Sequence, residues 1–386
     1  MLPRIRINYL NGQLGTVGES ADGLMALVCG AVAVAATFAL NKAYTLYKLG
    51  DLADLGVTKS NNPRLWKLVS DFYGEAEEGT KVVVMGVPQT VELEDLCLYS
   101  EGALRDLITQ QNGVLRGIFL CGTTASDEDE DFDLNDVASN AQQLAEWATT
   151  TLYAPLFVCL GAAYSADLPD FTNAEYNRVC VVVGDTVTGS ADACVGLVAG
   201  RVASIPVHRN IGRVRDGSLR PTTMFVGTGK VEESLGIVTT LYDKRYITPR
   251  THAGRSGYYL ADDNMAVKMT DDYAQLANRR VIDKAYRIAY DTLLDYLLDD
   301  IELNEDGTMQ FTVLKSWQQA VENAINASMT ANGELSQTDG EGCQCYIDPT
   351  QNVVSTSKIE MTLKVRPHGY ARSIDVNLGF LVTSAN

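Results

Sequence analysis

The stretch ITPRTHAGRSGYYLADDNMAV, Ile247 to Val267, holds the densest chemistry in the chain. It contains His252, one of three histidines, with Arg250, Arg255, Tyr258 and Tyr259 and the adjacent carboxylates Asp262 and Asp263. A histidine near carboxylates is the material of general acid–base catalysis. Catalysis also needs a partner with a fixed role, and His208, His252 and His368 sit in separate contexts that supply none. There is no G-x-S-x-G elbow to present a nucleophile. His208, in IPVHRNIGR, follows a helix stop and reads as a loop histidine beside a carboxylate.

The other candidate chemistries are weaker still. FVGTGKVEES offers Gly227, Gly229 and Lys230, but a phosphate loop needs Gly where Met224 stands and Ser or Thr where Val231 stands. No G-x-G-x-x-G follows a strand, so a nucleotide cofactor is not expected. The acidic run Asp127 to Asp133 lacks the glycine turn and terminal Glu of a calcium loop and is expected to be a solvated loop. Eight cysteines lie mostly in apolar runs such as LFVCLG and behave as small hydrophobes. The pair in GCQCY has one residue between its thiols, which is not zinc spacing, so no metal is expected.

Net charge points the same way. At −18, with a pI near 4.6, the surface does not suit nucleic acid or an anionic membrane. The opening MLPRIRINYL has no apolar core behind its basic residues, so no export leader is expected. The run Leu24 to Leu40 is uncharged, but its large residues Val32, Val34, Phe38 and Leu40 suit a covered strand better than a membrane span. Direct membrane insertion is not expected.

The elements that must position these residues follow from periodicity. Arg4, Ile5, Arg6, Ile7 and Tyr9 alternate as an amphipathic strand ended by Asn11-Gly12. A short turn at Asp51 to Leu55, a helix from Asn62-Pro63 and a buried strand from Lys81 come next. A helix is then expected from Leu93 to Gln111, and another from Leu134 to Thr150. Between and after them run the strands VLRGIFLCG, APLFVCLGA and RVCVVVGD, and then a helix stopped by Pro206. Continuous apolar strands alternating with helices predict a largely parallel sheet covered on both faces. From about Gly229 the texture changes. LGIVTTLYDKRYITPRT reads as strands, Asp271 to Ile301 as one long helix, and LKSWQQAVENAINASMTANG as a second. The chain closes with strands, the last alternating Ile374, Val376, Leu378, Phe380 and Val382. The result is an α/β middle, an α+β C-terminal unit, and strands at both ends.

Several segments together resemble a known family: KLGDLADLGV, FYGEAEEGTKVVVMGVP, NIGRVRDGS, the run from Arg245 through RRVIDKA, and IDPTQNVVSTSKIEMTLKVRPHGYARSIDVNLGF. They look like the sheath proteins of contractile phage tails and contractile injection systems. The resemblance implies an α/β domain over 21–228 facing outward, and an α+β assembly domain over 229–372 facing the tube. It also implies extended β-strand arms at 1–20 and 373–386. Partners would be further copies of the chain in a helical array, an inner tube protein, and baseplate and tail-terminator proteins, with no cofactor and no enzymatic activity. The place would be a virion tail or injection particle assembled in the bacterial cytoplasm. Arg250, Arg255, Tyr258, Asp262 and Asp263 would fix strand geometry and subunit contacts. Arg4, Ile5, Arg6, Ile7 and Tyr9, with Ile374, Val376, Leu378 and Phe380, would add strands to neighbouring subunits. The residues alone leave two alternatives: an α/β enzyme acting on a small polar substrate through His208 or His252, or another tail component such as a tube or baseplate protein.

Overall fold

The computed structural model describes residues 22–128 and 132–380. The expected N-terminal strand, with Arg4, Ile5, Arg6, Ile7 and Tyr9, lies outside the described residues. Two compact units divide at Asp300 and Ile301, so the boundary expected at 228/229 falls inside the first. A strand pairing is the reason. Ile247 adds in parallel to the sheet edge beside Val182, its N–H donating to Val181 O at 2.8 Å and its carbonyl accepting from Val183 N–H at 3.0 Å. The chain changes texture near Gly229 without leaving the core: Tyr246, Ile247, Leu260 and Met265 share one buried cluster with Met25 and Val179.

The first unit is built on six strands: β1 Met25–Ala31, β2 Tyr44–Leu46, β3 Val82–Pro88, β4 Gly117–Leu120, β5 Phe157–Ala162 and β6 Val179–Val183. Their order is β2-β3-β1-β4-β5-β6. All neighbours are parallel except β2, which runs antiparallel to β3. β1, β5 and β6 are buried at every position, as uninterrupted apolar runs require. The helices around the sheet include α1 Pro63–Glu75, α2 Leu134–Thr151, α3 Val195–Ser204 and α4 Leu276–Leu294.

Several expected elements differ, each for a local reason. β1 stops at Ala31 because Asn62 takes over the next backbone groups. Val32 N–H donates to Asn62 Oδ1 at 2.6 Å, and Asn62 Nδ2 donates to Val32 O at 3.0 Å. Val34 and Phe38 then close a tight turn. The helix expected over Leu93 to Gln111 is two pieces, Leu93–Leu96 and Ala103–Gln110, parted by Gly102 at φ +107°. Leu235–Asp243 is a helix, not a strand; its β-branched run misleads, but the buried residues Val238 and Leu241 stand three apart, on one helical face. α4 begins at Leu276, not Asp271, and ends at Leu294. The acidic run begins inside a helical turn, Thr124–Glu128, with Ser126 buried. Among the described residues no helix is long and apolar enough to cross a membrane.

The second unit carries α5, Phe311–Ile325, and an antiparallel pair, Cys343–Ile347 with Met361–Val365. Met309, Leu314 and Ile347 form its small core. Cys343 and Cys345 alternate inward as apolar positions do. The last expected strand has no pairing among the described residues; Ile374, Val376, Leu378 and Phe380 are all exposed, Phe380 completely.

α1 and α3 cross unusually closely. A Cβ placed on Gly196 would stand 2.2 Å from Leu68 O, and one on Gly200 2.4 Å from Phe72 O. Both obstacles are backbone and cannot swing aside. Gly200→Ala is expected to lose about 2 kcal/mol or more by overpacking, although Ala is the better helix former by about 1 kcal/mol. Gly236→Ala, on a helix with nothing near its Cβ, should hold or gain stability. Urea midpoints that move together in the two variants would show that the crossing imposes no such limit.

Candidate functional site

Open parallel sheets bind ligands beyond the carboxyl ends of the strands, where the strand order reverses. Here that point lies between β1 and β4, and the chain's own charged side chains occupy it. Asp192 accepts from the Gly122 N–H at 3.1 Å and from Arg64 Nε at 2.7 Å. Lys67 reaches Asp71 at 2.5 Å and Asp185 at 2.6 Å. Burial alone would lower the Lys67 pKa, but Asp71 and Asp185 hold it above the ordinary lysine range. Gly161, at the end of β5, is covered by the Val195 side chain. Beside this seam lies an open pocket of about 380 Å³, whose lining includes Gly122, Ser126, Asp133, Gly161, Ser165 and Asp167 and, among the described residues, no basic group.

The chemically dense stretch is a bracket around one buried arginine. Arg245 takes φ +80°, the left-handed turn that ends the Leu235–Asp243 helix. Its guanidinium donates to Val267 O at 3.0 Å, to Asn264 Oδ1 at 2.8 Å and to Ala274 O. Asn264, fully buried, turns its amide back toward the carbonyls of Tyr242 and Tyr246. Asp262 and Asp263 share the Asn210 amide, at 2.6 and 2.7 Å. Asp263 also accepts from the Ala277 N–H at 2.8 Å, so it satisfies the start of α4 where Asp271 was expected to.

The expected site residues separate on inspection. Asp262, Asp263 and Tyr258 are buried, and Tyr258 OH donates to Glu232 at 2.9 Å; these three hold the geometry of their own unit. Arg255 is exposed and Arg250 half-buried. His252 packs its ring on Tyr259 at 5.1 Å. Burial, then Arg250 and Arg255, hold its pKa below the usual histidine value. Among the described residues no carboxylate bonds to it, so nothing orients it as a triad base.

Residues that sequence reasoning left without a role form a second network. Asp283 on α4 accepts from both Arg178 Nη1, at 3.2 Å, and Arg279 Nη2, at 2.6 Å. Arg279 also lies 4.2 Å over the Tyr273 ring. Arg280 donates to the carbonyls of Val202 and Ile205, at the end of α3. One turn on, Lys284 and Arg287 hold Asp22 at 2.6 and 3.1 Å. The i,i+4 spacing of Arg279 and Asp283 was visible in RRVIDKA. Arg178 stands 105 residues away from Asp283 and gave no local signal.

The chain resembles known proteins over nearly its whole length. The family described as DUF2586, N-terminal domain, matches residues 2–264, and DUF2586, C-terminal domain, matches residues 272–384. The helical sheath of the anti-feeding prophage in its contracted state is similar in structure, with a TM-score of 0.68 at 16% identity over 98% of this chain and 99% of that one. The contracted sheath complex of the extracellular contractile injection system PVC gives 0.60 at 12% identity, over 98% and 97%. The sheath tail protein of Desulfitobacterium hafniense gives 0.55 at 10% identity, over 94% and 99%. No curated protein sequence matches the chain. The fold is that of contractile sheath proteins.

Two outcomes test the networks. Arg245→Met strands three buried acceptors and should lose roughly 3 kcal/mol or more, with Arg245→Lys recovering only part; an unchanged urea midpoint for Arg245→Met would remove its central role. Asp22 titrates differently. Burial works to raise its pKa, but Lys284 and Arg287 together hold it below the ordinary value. A depressed carboxylate stabilises above its unfolded pKa of about 3.9 and loses that contribution as pH falls through the folded value. Wild type should thus exceed Asp22→Asn in melting temperature at pH 6, with the gap closing below about pH 4. A gap that persists at pH 2 would mean the ion pair is not its source.

Proposed function

This chain belongs to the DUF2586 family, and from that premise we propose that it is the structural subunit of a contractile sheath. It polymerises helically around an inner tube and contracts to drive that tube through a target envelope. The observation that supports this most is the length of the likeness. It runs through both compact units and nearly all of each sheath protein compared. A likeness of the open α/β sheet alone would leave the second unit unmatched, and would suit many functions.

The exposed C-terminal segment fits the same role. Ile374, Val376, Leu378 and Phe380 alternate along it without a strand partner among the described residues. Alternate apolar side chains and free backbone groups are what β-augmentation of a neighbour requires. Residues 3–10 carry the same pattern at the other terminus. On this proposal 21–228 face outward, 229–372 face the tube, and baseplate and terminator proteins close the ends of the array. The subunit then needs no catalytic centre, since contraction draws on the assembled lattice. The particle is a phage tail or an injection device, built in the bacterial cytoplasm.

Electron microscopy tests the proposal. The full chain, expressed with its tube protein, should give long hollow helical tubes that shorten on acid or urea treatment. Deleting Met1 to Gly12, or Ser373 to Asn386, should leave a folded, soluble subunit that builds no lattice. A full chain that stays monomeric with its tube protein present would sink the proposal. Normal contractile tubes from both truncations would sink the role of the arms alone.

A further inference from the structure

Two arginine-bearing loops, distant in sequence, meet at one place on the first unit. The Leu219 N–H donates to Tyr258 O at 2.7 Å. Gly257 lies so close to Ser218 that an added Cβ would stand 2.6 Å from the serine Cβ, and Gly212 approaches Leu260 O equally closely. From beneath, Arg201 donates to Asp216 O at 3.2 Å and Ser218 O at 3.1 Å, while it pairs with Glu75 at 2.8 Å. The first loop is thus braced, and its tip is held against the second.

This junction gathers positive charge in a strongly acidic protein. Asp216 engages Arg213 at 2.9 Å and Arg209 at 3.6 Å. Arg215 and Arg255 are exposed, and their side chains hold no partner among the described residues. Arg250 makes no ion pair there either, and its Nε is buried without a hydrogen-bond acceptor. Guanidinium groups left in this state suit carboxylates, which they bind as a two-pronged fork.

We propose that this junction is a docking surface for the acidic segment Asp127 to Asp133 of a second copy of the chain. Six of the seven residues in that segment are Asp or Glu, the densest opposite charge available. In sequence the segment follows β4, and β4 lies three strand positions across the sheet from Ile247. Strand spacing alone makes that about 14 Å. Two different patches that match each other permit a head-to-tail contact, which propagates as an open helix where its rotation does not close a ring. Subunits of charge −18 repel one another on stacking. With screening over about 8 Å in physiological salt, the electrostatic term that offsets that repulsion is contact between charges of opposite sign. The inference rests on the self-assembly proposed above and names one contact within it.

The test separates this contact from the sheath reading. A synthetic peptide of residues 122–136 is titrated onto the dilute full chain by fluorescence anisotropy, and tube formation is scored separately by microscopy. The peptide should bind at low salt, weaken steeply as salt rises, and bind at least about tenfold less tightly to an Arg215→Glu/Arg255→Glu variant. A peptide with Asn and Gln in place of the acids should not bind. Both variant positions are exposed, and a circular dichroism melt confirms folding; Arg215→Gln/Arg255→Gln gives a milder second variant with an intermediate loss. Absence of peptide binding, or equal binding by the charge-reversed chain, overturns the contact whether or not tubes form. Tighter binding of duplex DNA through the same arginines overturns it in favour of a nucleic-acid surface.

Discussion

A single buried guanidinium decides how the first unit is put together. Arg245 sits at a backbone angle that most residues avoid, and its hydrogen bonds tie Asn264, Val267 and Ala274 to the end of one helix. That fixes the return path of the dense stretch, which places Asp263 under the first turn of α4. α4 in turn carries Asp283 to Arg178, just before β6, and Arg280 to the end of α3. Each step uses a charged group that would be costly to bury alone and is tolerable only when hydrogen-bonded. The dense stretch that looks like a catalytic loop is therefore the clasp of a rigid body.

How much of this was legible in the sequence differs by kind of element. The parallel strands were, because a strand buried on both faces must be apolar throughout, and Phe157 to Ala162 or Val179 to Val183 allow no other reading. The helix at Leu235–Asp243 was not, because Ile237, Val238, Thr239 and Thr240 carry strand propensity. Only the burial of Val238 and Leu241 decides between the two periods. The start of α4 was misplaced for a related reason. Asp271 has the right chemistry for a helix start, but a tertiary contact supplied Asp263 instead, from before the turn. The carboxylates at 262 and 263 stand out in the sequence as an adjacent acidic pair. Their role as internal braces became visible only with Asn210, fifty residues upstream, beside them.

The filled crevice shows how one architecture can shed the ligand that its topology invites. The sheet places strand ends where many relatives of this architecture hold a nucleotide. Here Arg64 pairs with Asp192 and Lys67 with Asp185 across that point, and Val195 covers the glycine of β5. Ion pairs there join α1 to the segment that leads into α3, the same two helices that the glycine crossing draws together. The site has become a joint.

On the proposed reading, a body stiffened in this way and an exposed C-terminal segment make complementary demands on a contractile array. During contraction subunits must move past one another as units, so the forces should act between bodies and not within them. Buried arginine networks meet the first need, since opening one would expose a charge without its partner. Terminal arms that add strands to a neighbour would meet the second, since main-chain hydrogen bonds to a neighbour do not depend on how the two bodies are oriented, provided the connecting residues flex. Charge contacts between bodies are the third component. They are reversible and depend on alignment over a few ångströms, so they can hold one arrangement of the bodies and release it to another. On the proposed reading, then, permanent connection and switchable contact reside in different parts of the chain, and the residues richest in chemistry serve mechanics.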